Sequence, residues 1–289
     1  MKNITKENIF SFIILILAII RGSSYIFIKN VIYSYSTFEI VFLRFFITGC
    51  ILAFIFHKQL LKTNKFEIFI GFLAGLFIFL AFTFQTYGLQ YTTISKQSFI
   101  TSLYTIIVPI LELIIFKKKL NKILNLSLLL ITLGLFLISF RDLSNFHLDF
   151  NVGDFFTLLC AFAFAFNILL FSKIKKLELN VLNITVFQML ITGTFAFIFN
   201  YFIKNNTIHI SFSYSMLYLI FICTLINFLL QNISQKYVSA HRTGLILSLE
   251  SVFGTLFALF IFNEQLSINF IAGIFMIFLG IILVQFFEK

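Results

Sequence analysis

The sequence predicts an all-α polytopic membrane protein: ten transmembrane helices in two inverted five-helix repeats around a central cavity. Three observations predict it. The chain is 60% hydrophobic and only 11% charged, where soluble domains carry about 25% charged residues. Ten apolar stretches approach the ~20 residues needed to cross a bilayer as a helix. They lie at 9–29, 37–56, 66–88, 98–116, 123–140, 152–172, 183–203, 214–235, 243–262 and 268–287. Finally, residues 82–140 align without a gap on 228–286 at an offset of 146. Fifteen of the 59 positions are identical, against roughly one in ten expected for so biased a composition, so the likeness exceeds shared oiliness.

Taken in order, Lys2 and Lys6 precede a long apolar run with no small-x-small cleavage site, which reads as a first membrane helix rather than a signal peptide. The connections between spans are short and rich in Lys, Asn, Ser and Asp. The longest, about Arg141–Asn151, separates the fifth and sixth spans and divides the chain into repeats 1–145 and 146–289. With the N-terminus in the cytoplasm, fifteen Lys and Arg residues fall on the inner side and four on the outer. The positive-inside rule therefore sets both termini in the cytoplasm of a multi-pass protein of the cell (inner or plasma) membrane. A five-helix repeat is odd, so the second copy enters the membrane from the opposite side, as in many secondary transporters.

The net charge of +10 belongs to cytoplasmic loops beside anionic lipid rather than to nucleic-acid binding. Phe accounts for 45 residues and Trp for none; a biased codon usage explains this, so no aromatic site is inferred. Cys50, Cys160 and Cys223 lie in apolar segments without metal spacing, and His57, His147, His209 and His241 sit at loops or span ends. No metal, cofactor or catalytic group is therefore expected.

Polar residues in the spans mark the interior. Ser98, Ser102, Thr105, Pro109 and Glu112 recur at steps of four and three, one stripe of a helix. The stripe returns as Gly244, Ser248, Ser251, Thr255 and Ala258, which predicts two helices facing a shared cavity. The eighth span carries Thr224, Asn227, Gln231 and Ser234; the seventh Thr185, Gln188 and Thr192; the second Arg44 and Thr48; the first Arg21, Ser23 and Ser24; the sixth Asn167. Spans one to four and six to nine are thus expected to line the interior. The fifth and tenth face lipid or another subunit, as in a homodimer. A single Ser or Thr can simply bond back to its own helix, and Gly71 and Gly75 suit close helix contacts.

The candidates for substrate binding and translocation are Arg21, Ser24, Arg44, Gln85, Ser102, Tyr104, Asn167, Gln188, Gln231, Ser248 and Glu250. Ionised groups at mid-membrane cost about 2.5–3.5 kcal/mol each, so they usually have a purpose. Arg21 is placed to receive a substrate carboxylate or to pair with Glu250 or Glu112. Arg44, nearer the outer surface, could instead snorkel. Glu250 could bind a substrate amine, carry a coupling proton or brace Arg21. Pro109, the only proline, is the candidate for a helix kink and gating.

Two stretches carry a family resemblance. The first reads Gly88-Leu-Gln-Tyr-Thr-Thr-Ile-Ser, then Ser98 to Tyr104, then Val108-Pro109. The second runs from Ala240 through Glu250-Ser-Val to Phe262-Asn-Glu264-Gln-Leu, Gly273 and Leu279-Gly280. They resemble the drug/metabolite transporter superfamily and its ten-helix EamA-type exporters. Arg21-Gly22 stands where that family often has Trp-Gly, Ser251 where it usually has Pro, Asn263 where it usually has Gly, and Lys118 where it often has Glu.

The resemblance implies export of a small metabolite, commonly an amino acid, through a central cavity. Uptake, or movement of a lipid-linked molecule, is the alternative on the same fold. A membrane enzyme acting on lipid is a further one, for which Asp142, His147, Asp149 and Asp154 form the one candidate cluster.

Overall fold

A computed structural model describes residues 2–117, 121–139, 151–174, 177–204, 213–262 and 268–287. Among them the regular structure is helical throughout: α1 (Lys2–Val31), α2 (Thr37–Ile55), the single-turn α3 (His57–Leu60), α4 (Lys65–Tyr91), α5 (Ile94–Ser102), α6 (Tyr104–Phe116), α7 (Lys122–Ser139), α8 (Val152–Ile174), α9 (Val181–Lys204), α10 (Tyr214–Ile220), α11 (Asn227–Ser234), α12 (Ala240–Leu247), α13 (Leu249–Phe262) and α14 (Ile268–Phe287). Eight spans are long and apolar enough to cross a membrane, the fourth, seventh and eighth being Ile94–Ile115, Tyr214–Ser234 and Ala240–Ile261. Two shorter apolar stretches, Lys122–Leu137 and Ile271–Leu283, lie in α7 and α14. The boundary at 145/146 lies outside the described residues.

Local chemistry sets the helix starts. Ser36 caps α2 and Asn64 caps α4, each reciprocated by an acid three residues on, Glu39 and Glu67. That explains two acids buried at helix ends. Glu67 also accepts from the Asn180 backbone N–H at 2.8 Å and from Asn183 Nδ2 at 3.1 Å, fastening α4 to the start of α9.

With no hydrophobic drive between helices in lipid, packing rests on close approach. A Cβ on Gly49 would lie 2.8 Å from Leu190, and one on Gly193 only 2.6 Å from Phe46. Both glycines therefore let α2 and α9 touch nearly backbone to backbone. Gly71 and Gly75 do the same for α4 against Phe187 and Ile191 of α9, as their sequence positions suggest. Gly22 brings α1 onto Phe253 and Gly254 of α13.

The α7–α14 contact has an internal symmetry. Gly134 meets Ile277 and the Gly273 carbonyl; Gly280 meets Ile131 and the Ser127 carbonyl. Subtracting the 146-residue offset turns either list into the other. In both, the glycine faces residues that come earlier in the partner's numbering. Antiparallel helices do this, because the sum of paired positions rather than their difference stays fixed. The outward sides of both helices, including Leu129, Leu133, Phe275 and Ile282, are exposed, in keeping with their expected place at the periphery.

The fourth and eighth spans are each interrupted. α5 gives way to α6 at Leu103, and α12 to α13 at Ser248. These positions are one residue apart in the repeat alignment. Pro109 lies inside α6 without ending it. The second interruption occurs without a proline, so the ring at Pro109 is not the common cause; short turns such as Leu103 N–H to Ile100 O and Ser251 N–H to Ser248 O stand at both places. The seventh span contains a π-helical segment, Phe221–Ile226, between α10 and α11. Thr224 bonds back to the Leu219 carbonyl, and the Ile220 carbonyl accepts from Thr48 of α2.

Candidate functional site

The buried centre is built on Arg21. Its Nε donates to Asn227 Oδ1 at 3.2 Å and its Nη2 to Gln231 Oε1 at 2.6 Å. Nη1 stands 3.6 Å from Glu250 Oε2. The guanidinium lies 5.4 Å from the Phe164 ring centre and 5.5 Å from that of Phe228, within cation–π range. Of the two acids the sequence offered as its partner, Glu250 pairs with Arg21. Glu112 instead accepts from His241 Nδ1 at 3.0 Å, far from the centre, where α6 meets α12.

Glu250 is only 2% exposed. The side chains of Tyr25 and Tyr104 face its carboxylate. Glu250 Oε1 and both tyrosine hydroxyls are buried without a hydrogen-bond partner among the described residues. The centre thus carries an acid, a base and two phenols close together, with polar valence left unused.

Arg44 lies on the far side of the same aromatic group. Its Nε donates to Thr224 Oγ1 at 3.0 Å, at the π-helical segment. Its guanidinium sits 4.7 Å from the Phe82 ring centre and 5.6 Å from Phe45. It is 1% exposed, so it does not snorkel. The four phenylalanines are continuous: Phe82 meets Phe45, Phe164 and Phe228, and Phe45 meets Phe228. Two guanidiniums therefore stand against a block of four phenyl rings.

The polar stripes of the fourth and eighth spans meet each other rather than facing an open space. Ser102 and Ser251 hydroxyls are hydrogen-bonded. Thr105 Oγ1 donates to the Gly244 carbonyl at 3.2 Å, and its counterpart Ser251 donates to the Ser98 carbonyl at 2.9 Å. Ser98 is the counterpart of Gly244, so the same bond is made twice in opposite senses. Ser248 and Ser24 bond back to their own helices, at Leu245 O and Arg21 O.

The remaining candidates are more scattered. Asn167 donates to the Ala74 carbonyl at 3.4 Å. Gln188 accepts from Asn232 at 2.8 Å. Gln85 receives Gln97 on its backbone carbonyl while its own Oε1 is buried and unpartnered among the described residues.

Asn227 and Thr224 stand outside the residues expected to bind solute, although the 3-4-3 spacing of the polar residues along 214–235 marks them. The phenyl block and Tyr25 had no such signal, being hidden among 45 phenylalanines and ten tyrosines.

Ion pairs stand at both ends of the bundle. Lys96 Nζ is 2.6 Å from Asp154 Oδ2, whose side chain is fully buried and also accepts from Thr92. Arg242 Nη1 is 2.6 Å from Glu7 Oε1. Lys96 and Arg242 are counterparts at the 146 offset, and Glu7 and Asp154 sit at the starts of the apolar stretches 9–29 and 152–172. Glu7 begins α1 whereas Lys96 follows α4, so three membrane-length helices (α1, α2 and α4) separate the two pairs and set them at opposite ends. Asp142, His147 and Asp149 lie outside the described residues, and Asp154 is engaged by Lys96. Among the described residues no three His, Cys, Asp or Glu side chains are grouped to hold a metal.

Comparison with known proteins agrees with this architecture. A protein from Archaeoglobus fulgidus, described as an uncharacterized transporter, is 32% identical over 275 residues, covering 93% of this chain and 83% of that one. A crystal structure of a protein with 14% identity superposes with a TM-score of 0.73 over 95% of this chain and 96% of the other, which speaks to the fold alone. The model of the EamA-like transporter family matches twice, over residues 8–140 and 151–286. Two matched halves, a buried charged centre and membrane-length helices make this chain a multi-pass membrane protein that belongs to the EamA-like transporter family, in the drug/metabolite transporter superfamily.

Proposed function

We propose that the protein is a secondary transporter that exports an amino acid or similar small metabolite by alternating access. In this reading ten helices form two inverted repeats, 1–145 and 146–289, and rock about the Arg21–Glu250 centre. The observation that carries it is the pair of ion pairs at opposite ends, Lys96–Asp154 and Arg242–Glu7, whose cations are counterpart positions of the two halves and whose acids stand near the starts of the first helix of each. An inverted repeat makes equivalent closures at its two faces, and opening one while keeping the other exposes a midplane site to one side at a time. The reciprocal bonds of Thr105 and Ser251 and the reciprocal glycine contacts of α7 and α14 support the same two-fold relation.

Arg21, Arg44, Glu250, Gln231 and Tyr104 are proposed to contact the solute, with Gln85, Asn167, Gln188, Ser24, Ser102 and Ser248 in supporting positions and Pro109 easing motion of α6. The Lys and Arg distribution supports cytoplasmic termini in the cell membrane. Purified protein in liposomes loaded with a mixed panel of amino acids and organic acids tests the reading by counterflow. Saturable, temperature-dependent exchange of at least one solute is expected; absence of exchange across the panel would overturn it.

A further inference from the structure

The charges at the centre do not balance. Arg21 and Arg44 are buried beside a shared aromatic block, and Glu250 is the one carboxylate within ion-pair distance of either among the described residues. Arg21 uses all three of its nitrogens, on Asn227, Gln231 and Glu250. Arg44 has a single side-chain partner, Thr224, and its Nη1 is fully buried with no hydrogen-bond partner among the described residues. A guanidinium placed about 10 Å along α2 at 1.5 Å per residue is too deep for its charge to be screened by water. Leaving one charge uncompensated there is costly, and a planar fork with an unused N–H edge matches a carboxylate.

The surroundings specify the rest of the ligand. Phe82 and Phe45 stack on Arg44, and Phe164 and Phe228 continue the apolar wall to Arg21. One excess positive charge calls for one negative charge; a phosphate monoester brings nearly two. A zwitterion brings none in sum, and its ammonium would need Glu250, which Arg21 already engages.

We propose that Arg44 is the anion-binding group of this site, and that the preferred solute is a monocarboxylate with an apolar or aromatic body. This rests on the transporter reading above and takes its second branch, a small metabolite other than a zwitterionic amino acid. Arg44 Nη1 receives one carboxylate oxygen, Thr224 holds the guanidinium in place, and the phenyl block takes the body. Bound in this way, the solute neutralises the centre as the ion pair at one end opens.

Calorimetry at pH 7.5 on the purified full-length protein tests it with four phenyl-bearing probes that differ in head group: 3-phenylpropanoate, 3-phenylpropanamide, phenylalanine and phenyl phosphate. The carboxylate is expected to bind at least about ten-fold tighter than the other three. Arg44→Gln should remove that preference while leaving amide binding within about two-fold. Arg44→Lys, which keeps charge without the fork, should restore part of it. Equal binding of amide and carboxylate by the unmodified protein, or no carboxylate binding, overturns the proposal whether or not the variants fold. Tightest binding of phenylalanine or phenyl phosphate does so too. Counterflow of any panel solute without carboxylate preference would leave the transporter reading standing and sink this one alone.

Discussion

Arg21 and Glu250 form a loose pair, Nη1 to Oε2 at 3.6 Å, while Asn227 and Gln231 hold the other nitrogens at 3.2 and 2.6 Å. Two buried guanidiniums stand against this one acid, so the acid is the member the centre can least lose. Glu250→Gln leaves two buried cations without an acid, whereas Arg21→Gln leaves Arg44 and Glu250, which cancel. Removing one partner of a buried pair typically costs about 3–5 kcal/mol. Glu250→Gln is expected near that range and Arg21→Gln clearly below it, with both impairing flux. Thermal unfolding of the detergent-solubilised variants measures the order; a reversed order would contradict the charge argument.

The two end pairs should act in opposite senses. Asp154→Asn removes the ion pair with Lys96 and Glu7→Gln the one with Arg242; on the proposed mechanism each weakens one closure. A single cysteine placed near Tyr104, in a background lacking Cys50, Cys160 and Cys223, reports access to an impermeant thiol reagent. With the proposed cytoplasmic termini, Asp154→Asn should raise labelling from the outer face and Glu7→Gln from the cytoplasmic face. The Asp154 effect should be larger, since that carboxylate is fully buried whereas Glu7 is about one-third exposed.

Glycines differ sharply in what they tolerate. A Cβ at Gly193 would lie 2.6 Å from the Phe46 backbone nitrogen, which cannot yield, whereas one at Gly244 meets nothing closer than 3.7 Å. Gly193→Ala is expected to cost about 1–3 kcal/mol through overpacking. Gly244→Ala should be neutral or slightly stabilising, because Ala suits a helix better. Melting temperatures of the two variants decide the matter.

Serines of one stripe should separate by partner. Ser251 joins Ser102 and the Ser98 carbonyl across the helix contact, while Ser248 bonds only within its own helix. Ser251→Ala is expected to lose about 1 kcal/mol, and Ser248→Ala less than half as much. Equal losses would mean that the cross-helix bonds contribute nothing beyond back-bonding.

Much of the architecture was legible in the sequence because a bilayer imposes a length and a hydropathy that single residues report. The repeat was legible too, and Arg21, Gln231 and Glu250 stood out because ionised and amide groups are rare in apolar runs. What joined them was not. Phe45, Phe82, Phe164 and Phe228 are four among many identical residues, and only folding distinguishes them. Ser102 and Ser251 carried the right spacing for a cavity wall, yet spacing gives a face and not what lies against it. The interruptions at Leu103 and Ser248 leave no residue signature, whereas Pro109, the obvious breaker, sits inside a continuous helix. The link from Lys96 to Asp154 depends on α5 passing α8, which a linear reading of charge does not reveal.

Tyr104 and Glu250 occupy the same place in the two halves, one a neutral phenol and the other an acid. Exchanging the halves therefore does not return the same site. A carrier whose two halves trade conformations would present its carboxylate from one half only, so its inward and outward forms cannot be mirror images. Their affinities for a charged solute then differ, and detailed balance requires the loaded and unloaded carriers to distribute differently between the two forms. Solute binding would thus tip the molecule toward one side, set by which half carries the acid.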